Sequence, residues 1–152
     1  MNHNNFRENL SRANQGERDV GRILCNNIPN LVILDYNRDN KYDILTNHPI
    51  NGQVTFEIKE DIKCAQTGNV VVEYESWGRP SGIMTTVADY WVFRIHINNT
   101  IEHYAIRTCK LKQLITENRY ARTFQMTTTD SSNKVYFFRY EYLKMECFFL
   151  RG

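Results

Sequence analysis

The segment Val54–Lys59 constrains this chain more than any other stretch. Val54, Phe56 and Ile58 alternate with Thr55, Glu57 and Lys59. That two-residue period belongs to a strand with one face on a core and the other carrying an acid and an amine. Before it lie the turn-forming residues Asn47-His48-Pro49-Ile50-Asn51-Gly52, and before those Tyr42–Leu45 reads as another short strand. A polar turn between two such runs predicts a hairpin, which places Asp43 within reach of Glu57.

The remaining elements follow from periodicity. Phe6, Leu10, Ala13, Val20 and Leu24 recur at helical spacing, so a helix is expected from Phe6 to about Asn27, closed by Pro29. Glu17 falls on that apolar stripe. Gly16 and Gly21 weaken the helix, so tertiary contacts must hold it. Leu31–Leu34 reads as a buried strand, Asn37–Asn40 as a turn and Val70–Glu75 as a strand, followed by an irregular stretch from Ser76 to Gly82. Tyr90–Ile97 has the composition of a central strand, turned by Asn98-Asn99 into Ile101–Ile106. Thr108 to about Asn118 reads as a second helix, with Leu111, Leu114 and Ile115 on its apolar stripe and Thr108 as its cap. Asp130–Asn133 is a turn before Val135–Tyr140, and Tyr142–Leu150 fits either helix or strand. The expected class is α+β (mixed α/β): a mainly antiparallel sheet flanked by helices, in the order helix, strands, helix, strands.

At 152 residues the chain is expected to form a single domain over residues 1–152, and 41% apolar residues suit a globular core. No run approaches the roughly 18 apolar residues of a membrane span. The polar start Met1-Asn2-His3-Asn4-Asn5 lacks a signal peptide's apolar core, so a cytoplasmic protein is expected, or a nuclear or viral-factory one in a eukaryotic virus. The net charge of +2 hides an asymmetry: residues 1–100 are net −2 and residues 101–152 net +4. Cys25, Cys64, Cys109 and Cys147 lie far apart without a C-x-x-C pair, which argues against structural zinc and for four reduced thiols.

Asp43, Glu57, Lys59 and the stripe residue Glu17 have a chemical use in common. Two carboxylates supply the hard oxygens that Mg²⁺ takes, Mn²⁺ serving in its place, while the ion keeps several waters. Such an ion activates water and stabilises charge on a phosphate. Lys59 would orient or deprotonate the water, and Glu17 would hold a second ion or its waters. On these residues alone another reading stands beside it: a solvated strand face, with the helix acid paired to an arginine.

Asp43, then Glu57-Ile58-Lys59 after a turn, with Glu17 on an upstream helix, resembles the PD-(D/E)xK nuclease superfamily. The resemblance spans roughly residues 10–115 and departs from the pattern at Tyr42, where the family has Pro. It implies a restriction-endonuclease-like core and Mg²⁺ bound by Asp43, Glu57 and the backbone carbonyl of Ile58. It further implies Lys59 as the catalytic lysine and Glu17 as an accessory acid. The stretch Thr67–Ser76 followed by Gly78–Ile83 is similar to small phage-type and viral endonucleases and to Holliday-junction resolvases. That similarity implies a DNA-facing role for Ser81, Gly82 and Thr85.

Basic residues able to track phosphates are Lys63, Arg79, Lys110, Lys112, Arg119 and Arg122. His96 and His103 are placed to face each other across the Asn98-Asn99 turn. The resulting expectation is a Mg²⁺-dependent DNA endonuclease of junction-resolving, nicking or repair and recombination type. It would act alone or as a homodimer, with no membrane partner. The alternatives are a non-catalytic nucleic-acid-binding protein on a nuclease-like scaffold and a restriction-type nuclease subunit.

Overall fold

The structure is a computed structural model that describes residues 14–36 and 41–152. The first part of the expected helix, from Phe6 to Ala13, and the turn at 37–40 lie outside the described residues. Helix α1 (Gln15–Asn27) opens with a capping box in which Asn14 and Glu17 satisfy each other's backbone N–H groups. It ends where Ile28, extended ahead of Pro29, cannot continue it. Strands β1 (Val32–Tyr36), β2 (Ile44–His48) and β3 (Gly52–Asp61) form an antiparallel meander.

The chain then passes through the short helix α2 (Cys64–Thr67), β4 (Asn69–Ser76), β5 (Arg79–Pro80) and a single 3₁₀ turn, Gly82–Met84. It returns as β6 (Tyr90–Ile97), parallel to β3. Strand β7 (Thr100–Arg107) pairs antiparallel with β6 after a two-residue turn whose Asn98 and Asn99 both have positive φ. Helix α3 (Thr108–Thr116), β8 (Arg122–Thr127), β9 (Ser132–Arg139), α4 (Tyr140–Glu146) and β10 (Phe148–Leu150) complete the fold. Two sheets result: a mixed one of order β1-β2-β3-β6-β7-β10, and an antiparallel one of order β5-β4-β9-β8.

The mixed sheet is buried on both faces. On one, Val20, Ile23 and Leu24 of α1 cover Ile44, Phe56, Val92 and Ala105. On the other, Trp91, Phe93, Ile95 and Ile106 meet Val70, Val72 and Phe138 of the second sheet, with Leu111, Leu114 and Leu143 from α3 and α4. Strand β6 is therefore sandwiched, as its composition predicted. Among the described residues, no helix is long and apolar enough to cross a membrane.

Several expectations need correction. The second face of the mixed sheet is covered largely by another sheet rather than by helices alone. The simple order helix, strands, helix, strands is interrupted by α2 and α4. The stretch 76–82 contains the β4–β5 hairpin. Strand β8 escapes sequence reading because almost all its side chains are exposed, so no alternation of burial marks it. Thr108 is the first residue of α3 and not its cap; its hydroxyl donates instead to the carbonyl of Ala88 at 2.6 Å. His96 lies opposite Ile101 and His103 opposite Arg94, so the two histidines do not face each other.

Gly21 shows why a helix-weakening residue sits in α1. A Cβ there would run into the hydroxyl of Tyr36, a buried ring with little freedom to withdraw. Gly21→Ala gains helix propensity, about 1 kcal/mol, but overpacking costs about 1–3 kcal/mol. We expect lower stability in chemical denaturation, restored by adding Tyr36→Phe. A gain of stability in Gly21→Ala alone, as helix propensity would give without a clash, would disprove the close approach.

Candidate active site

Asp43 immediately precedes β2, and the pairing of Ile44 with Phe56 leaves it beside Glu57. Its backbone N–H donates to the Phe56 carbonyl at 3.0 Å, and its Oδ2 accepts from the Ile58 N–H at 2.7 Å. Glu57 and Lys59 share a face of β3, and Lys59 Nζ stands 2.9 Å from Glu57 Oε1. The same ammonium lies 5.2 Å above the Trp91 ring, an additional attraction that fixes it over the sheet.

Burial pushes the Asp43 carboxyl above the ordinary aspartate range, and repulsion from Glu57 adds to it. The Ile58 N–H and the Lys59 charge oppose the shift. Glu17, 7% exposed on α1, is raised in turn, first by burial and then by repulsion from Asp43, with the Asn14 backbone N–H acting against both. The structure thus brings Glu17, Asp43, Glu57 and Lys59 into one electrostatic neighbourhood. It also changes the account of Glu17. Its two oxygens accept from Asn14, the backbone N–H at 3.2 Å and the side-chain amide at 3.3 Å, so a capping box satisfies its buried carboxylate, and the Arg18 charge acts on it as well.

The expected DNA-facing residues are scattered. Ser81 gives its hydroxyl to Glu73 at 2.9 Å. Gly82 has φ of 53° and leaves no room for a Cβ against the Glu73 backbone, so packing accounts for this glycine. Thr85 is exposed on the 3₁₀ turn's end, Lys63 on the turn before α2 and Arg79 on β5. Lys110 pairs with Glu146 at 3.0 Å, and Lys112 is exposed on α3. Among the described residues, none of these makes a hydrogen bond, ion pair or ring contact with Asp43, Glu57 or Lys59.

Sequence reasoning missed a second polar cluster on the opposite face of β3 and β6. Arg94, 6% exposed, donates to Asp19 of α1 at 3.1 Å and to His103 Nε2 at 3.0 Å. Its Nε makes no hydrogen bond and lies 3.5 Å from Glu60, which also meets His96 at 2.6 Å. A Cβ on Gly16 would come within 3.2 Å of Glu60 and 3.5 Å of Arg94 Nε. The first turn of α1, which carries Glu17, is therefore seated on this cluster. The available signal was Arg94 itself, a lone charge inside an otherwise apolar strand. His103 is held down to about 4 by burial and by the Arg94 charge.

No family model matches this chain, and no curated protein or solved structure matches it either.

Because His103 is neutral when folded, the unfolded chain binds its proton first. This contribution to stability is complete above about pH 6.5 and is lost as pH falls toward about 4. We expect His103→Gln, which can still accept from Arg94, to flatten the fall in stability across that window. Equal slopes in wild type and variant would remove His103 as the cause. Asp19→Asn weakens the hold on a buried cation and should cost about 1–3 kcal/mol in urea unfolding.

Proposed function

We propose that this chain is a Mg²⁺-dependent endodeoxyribonuclease that hydrolyses phosphodiester bonds in structured DNA, of junction-resolving or nicking type. The observation that carries the reading is the convergence of Asp43, Glu57 and Lys59 on one patch of the β2–β3 hairpin. Asp43 keeps a raised pKa there even though it accepts a backbone hydrogen bond. A carboxylate in that state favours an incoming cation. The run α1, β1, β2, β3 followed by the parallel strand β6 supports a restriction-endonuclease-like core, although the helix on the crossover spans only Cys64–Thr67.

The donor set fits Mg²⁺, an ion bound by one or two carboxylates while water and phosphate complete its shell. Asp43 and Glu57 would hold it, with the Ile58 carbonyl as a further oxygen and Mn²⁺ as a substitute. When bound, such an ion lowers the pKa of a water and offsets charge on the phosphate. Lys59, already paired to Glu57, would turn its ammonium to the attacking water or to a phosphate oxygen. Glu17, buried on α1 and within electrostatic reach of Asp43, would keep the field of the site negative. A domain of this size reads DNA shape more readily than a long sequence, and a homodimer would suit a symmetric substrate.

One observation favours a non-catalytic nucleic-acid-binding protein instead. Glu57 is engaged by Lys59, and among the described residues no three His, Cys, Asp or Glu side chains are grouped to hold an ion. Calorimetric titration with Mn²⁺ separates the readings, since binding that requires both Asp43 and Glu57 belongs to the nuclease.

The direct test is incubation with supercoiled, linear, single-stranded and four-way-junction DNA, each with Mg²⁺, Mn²⁺ or EDTA. Asp43→Asn, Glu57→Ala and Lys59→Ala should each lower cleavage at least about 100-fold while the fold survives. Wild-type rates in folded Glu57→Ala would sink the assignment. Glu17→Gln keeps the capping box and removes a charge that burial disfavours. Its melting temperature should hold or rise while cleavage falls; early melting with normal cleavage would make Glu17 a helix cap only.

A further inference from the structure

The second sheet has an outer face on which Val135 is buried but belongs to neither main apolar cluster. Val70, Val72, Tyr74, Tyr136 and Phe138 point inward to the main apolar cluster. Strand alternation therefore turns Phe137 and Arg139 of β9 outward. On the neighbouring edge strand, Arg122 lies directly opposite Phe137 and Phe124 opposite Val135. The Arg122 guanidinium sits 4.9 Å from the Phe137 ring centroid and 5.4 Å from that of Phe124. Those two rings are 5.6 Å apart and tilted, and Phe124 is 44% exposed. Arg122 and Arg139 are both exposed and pair with no carboxylate among the described residues. The one acid on this face, Glu73, accepts the Ser81 hydroxyl.

A separate feature stands at one end of the same sheet. The two-residue turn between β4 and β5 has Trp77 at φ 51° and Gly78 at φ 76°. Such a turn favours Asn at its first position, and a bulky side chain at positive φ is strained. Yet Trp77 occupies it with 60% of its surface exposed, beside the exposed Arg79, which pairs with no carboxylate among the described residues. The indole is not among the residues packed into either main apolar cluster.

We propose that the outer face of the four-stranded sheet, with the Trp77 turn at its end, is a platform for single-stranded DNA. Exposed rings offer the flat surface on which unpaired bases stack, and guanidiniums without carboxylate partners supply the charge that a phosphate backbone needs. A duplex, whose base faces are already stacked, has no use for the rings. The proposal deepens the nuclease reading, which it needs only for the choice of DNA: the substrate would present unpaired bases, as at a junction, flap or nick.

The test runs in EDTA, so that binding is measured without cleavage. Fluorescence anisotropy of a labelled twelve-nucleotide oligo-dT is compared with a duplex of equal length. Wild type should prefer the single strand, with affinity falling as salt rises. Of the two tryptophans, Trp91 is 1% exposed, so quenching of tryptophan emission on binding reports Trp77. Arg122→Ala with Phe124→Ala should weaken binding at least about tenfold. Trp77→Asn installs the residue the turn prefers, so it should melt no earlier than wild type while binding falls and quenching disappears. Equal affinity for duplex and single strand, or unchanged oligo-dT binding in the folded double variant and in Trp77→Asn, would overturn the proposal. Single-strand binding in a protein that cleaves nothing with Mg²⁺ would overturn the nuclease reading and leave the platform standing. Normal cleavage by variants with unaltered binding would do the reverse.

Discussion

The burial of β6 on both faces is the constraint from which the rest follows. Val92 faces α1, while Trp91, Phe93 and Ile95 face the second sheet, and none of the four is more than slightly exposed. A strand buried this way must have neighbours on both edges, and β3 and β7 supply them. Because β3 and β6 run parallel, the chain cannot join them by a tight turn and must cross over. That crossover carries α2, β4 and β5, and β4 becomes a central strand of the sheet that covers β6. The join is tied at its start, where Asp89 at the head of β6 accepts from both the backbone and the hydroxyl of Thr55 at 2.9 and 3.1 Å.

The same parallel pairing puts Glu60 level with Arg94 and Glu57 level with Trp91. One strand pair thus serves two polar clusters on opposite faces. On one face, Lys59 is pinned between Glu57 and the Trp91 ring. On the other, Arg94 draws Asp19 of α1 down onto the sheet, with His103 kept neutral beside it. A buried guanidinium is a costly device for stability alone, since burial of a charge must be offset by its partners. Its geometric result is specific: it fixes the first turn of α1, and with it the position of Glu17 relative to Asp43.

Two halves of the molecule then differ in character. The β2–β3 hairpin gathers carboxylates whose mutual repulsion favours a cation. The outer face of the second sheet carries arginines on aromatic rings and favours an anion. Each sheet takes strands from both the acidic first 100 residues and the basic last 52, so the contrast arises from which side chains the fold brings together and not from the order of charge along the chain.

How much of this was legible depended on whether a residue's role is local. The period of Val54–Lys59, the Asn98-Asn99 turn and the apolar run of β6 are read from neighbours along the chain, and the hairpin that joins Asp43 to Glu57 follows from a short polar turn. Glu17 was visible as an acid on an apolar stripe, but its bond to Asn14 was not, because burial and capping look alike in a periodicity. The second sheet was only half visible: β4 and β9 alternate, whereas the exposed edge strand β8 carries no burial pattern, and nothing in sequence says that β4 pairs with β9. Arg94 with Asp19, Glu60 and His103 joins four elements, so no window along the chain contains it. By itself the sequence determined the strands, the turns and the hairpin that holds the acidic pair, because those rest on local backbone geometry and hydrophobic period. Tertiary structure alone decided which sheet covers which, what seats α1, and where the unpaired arginines lie, because those depend on contacts between residues that are distant in the chain.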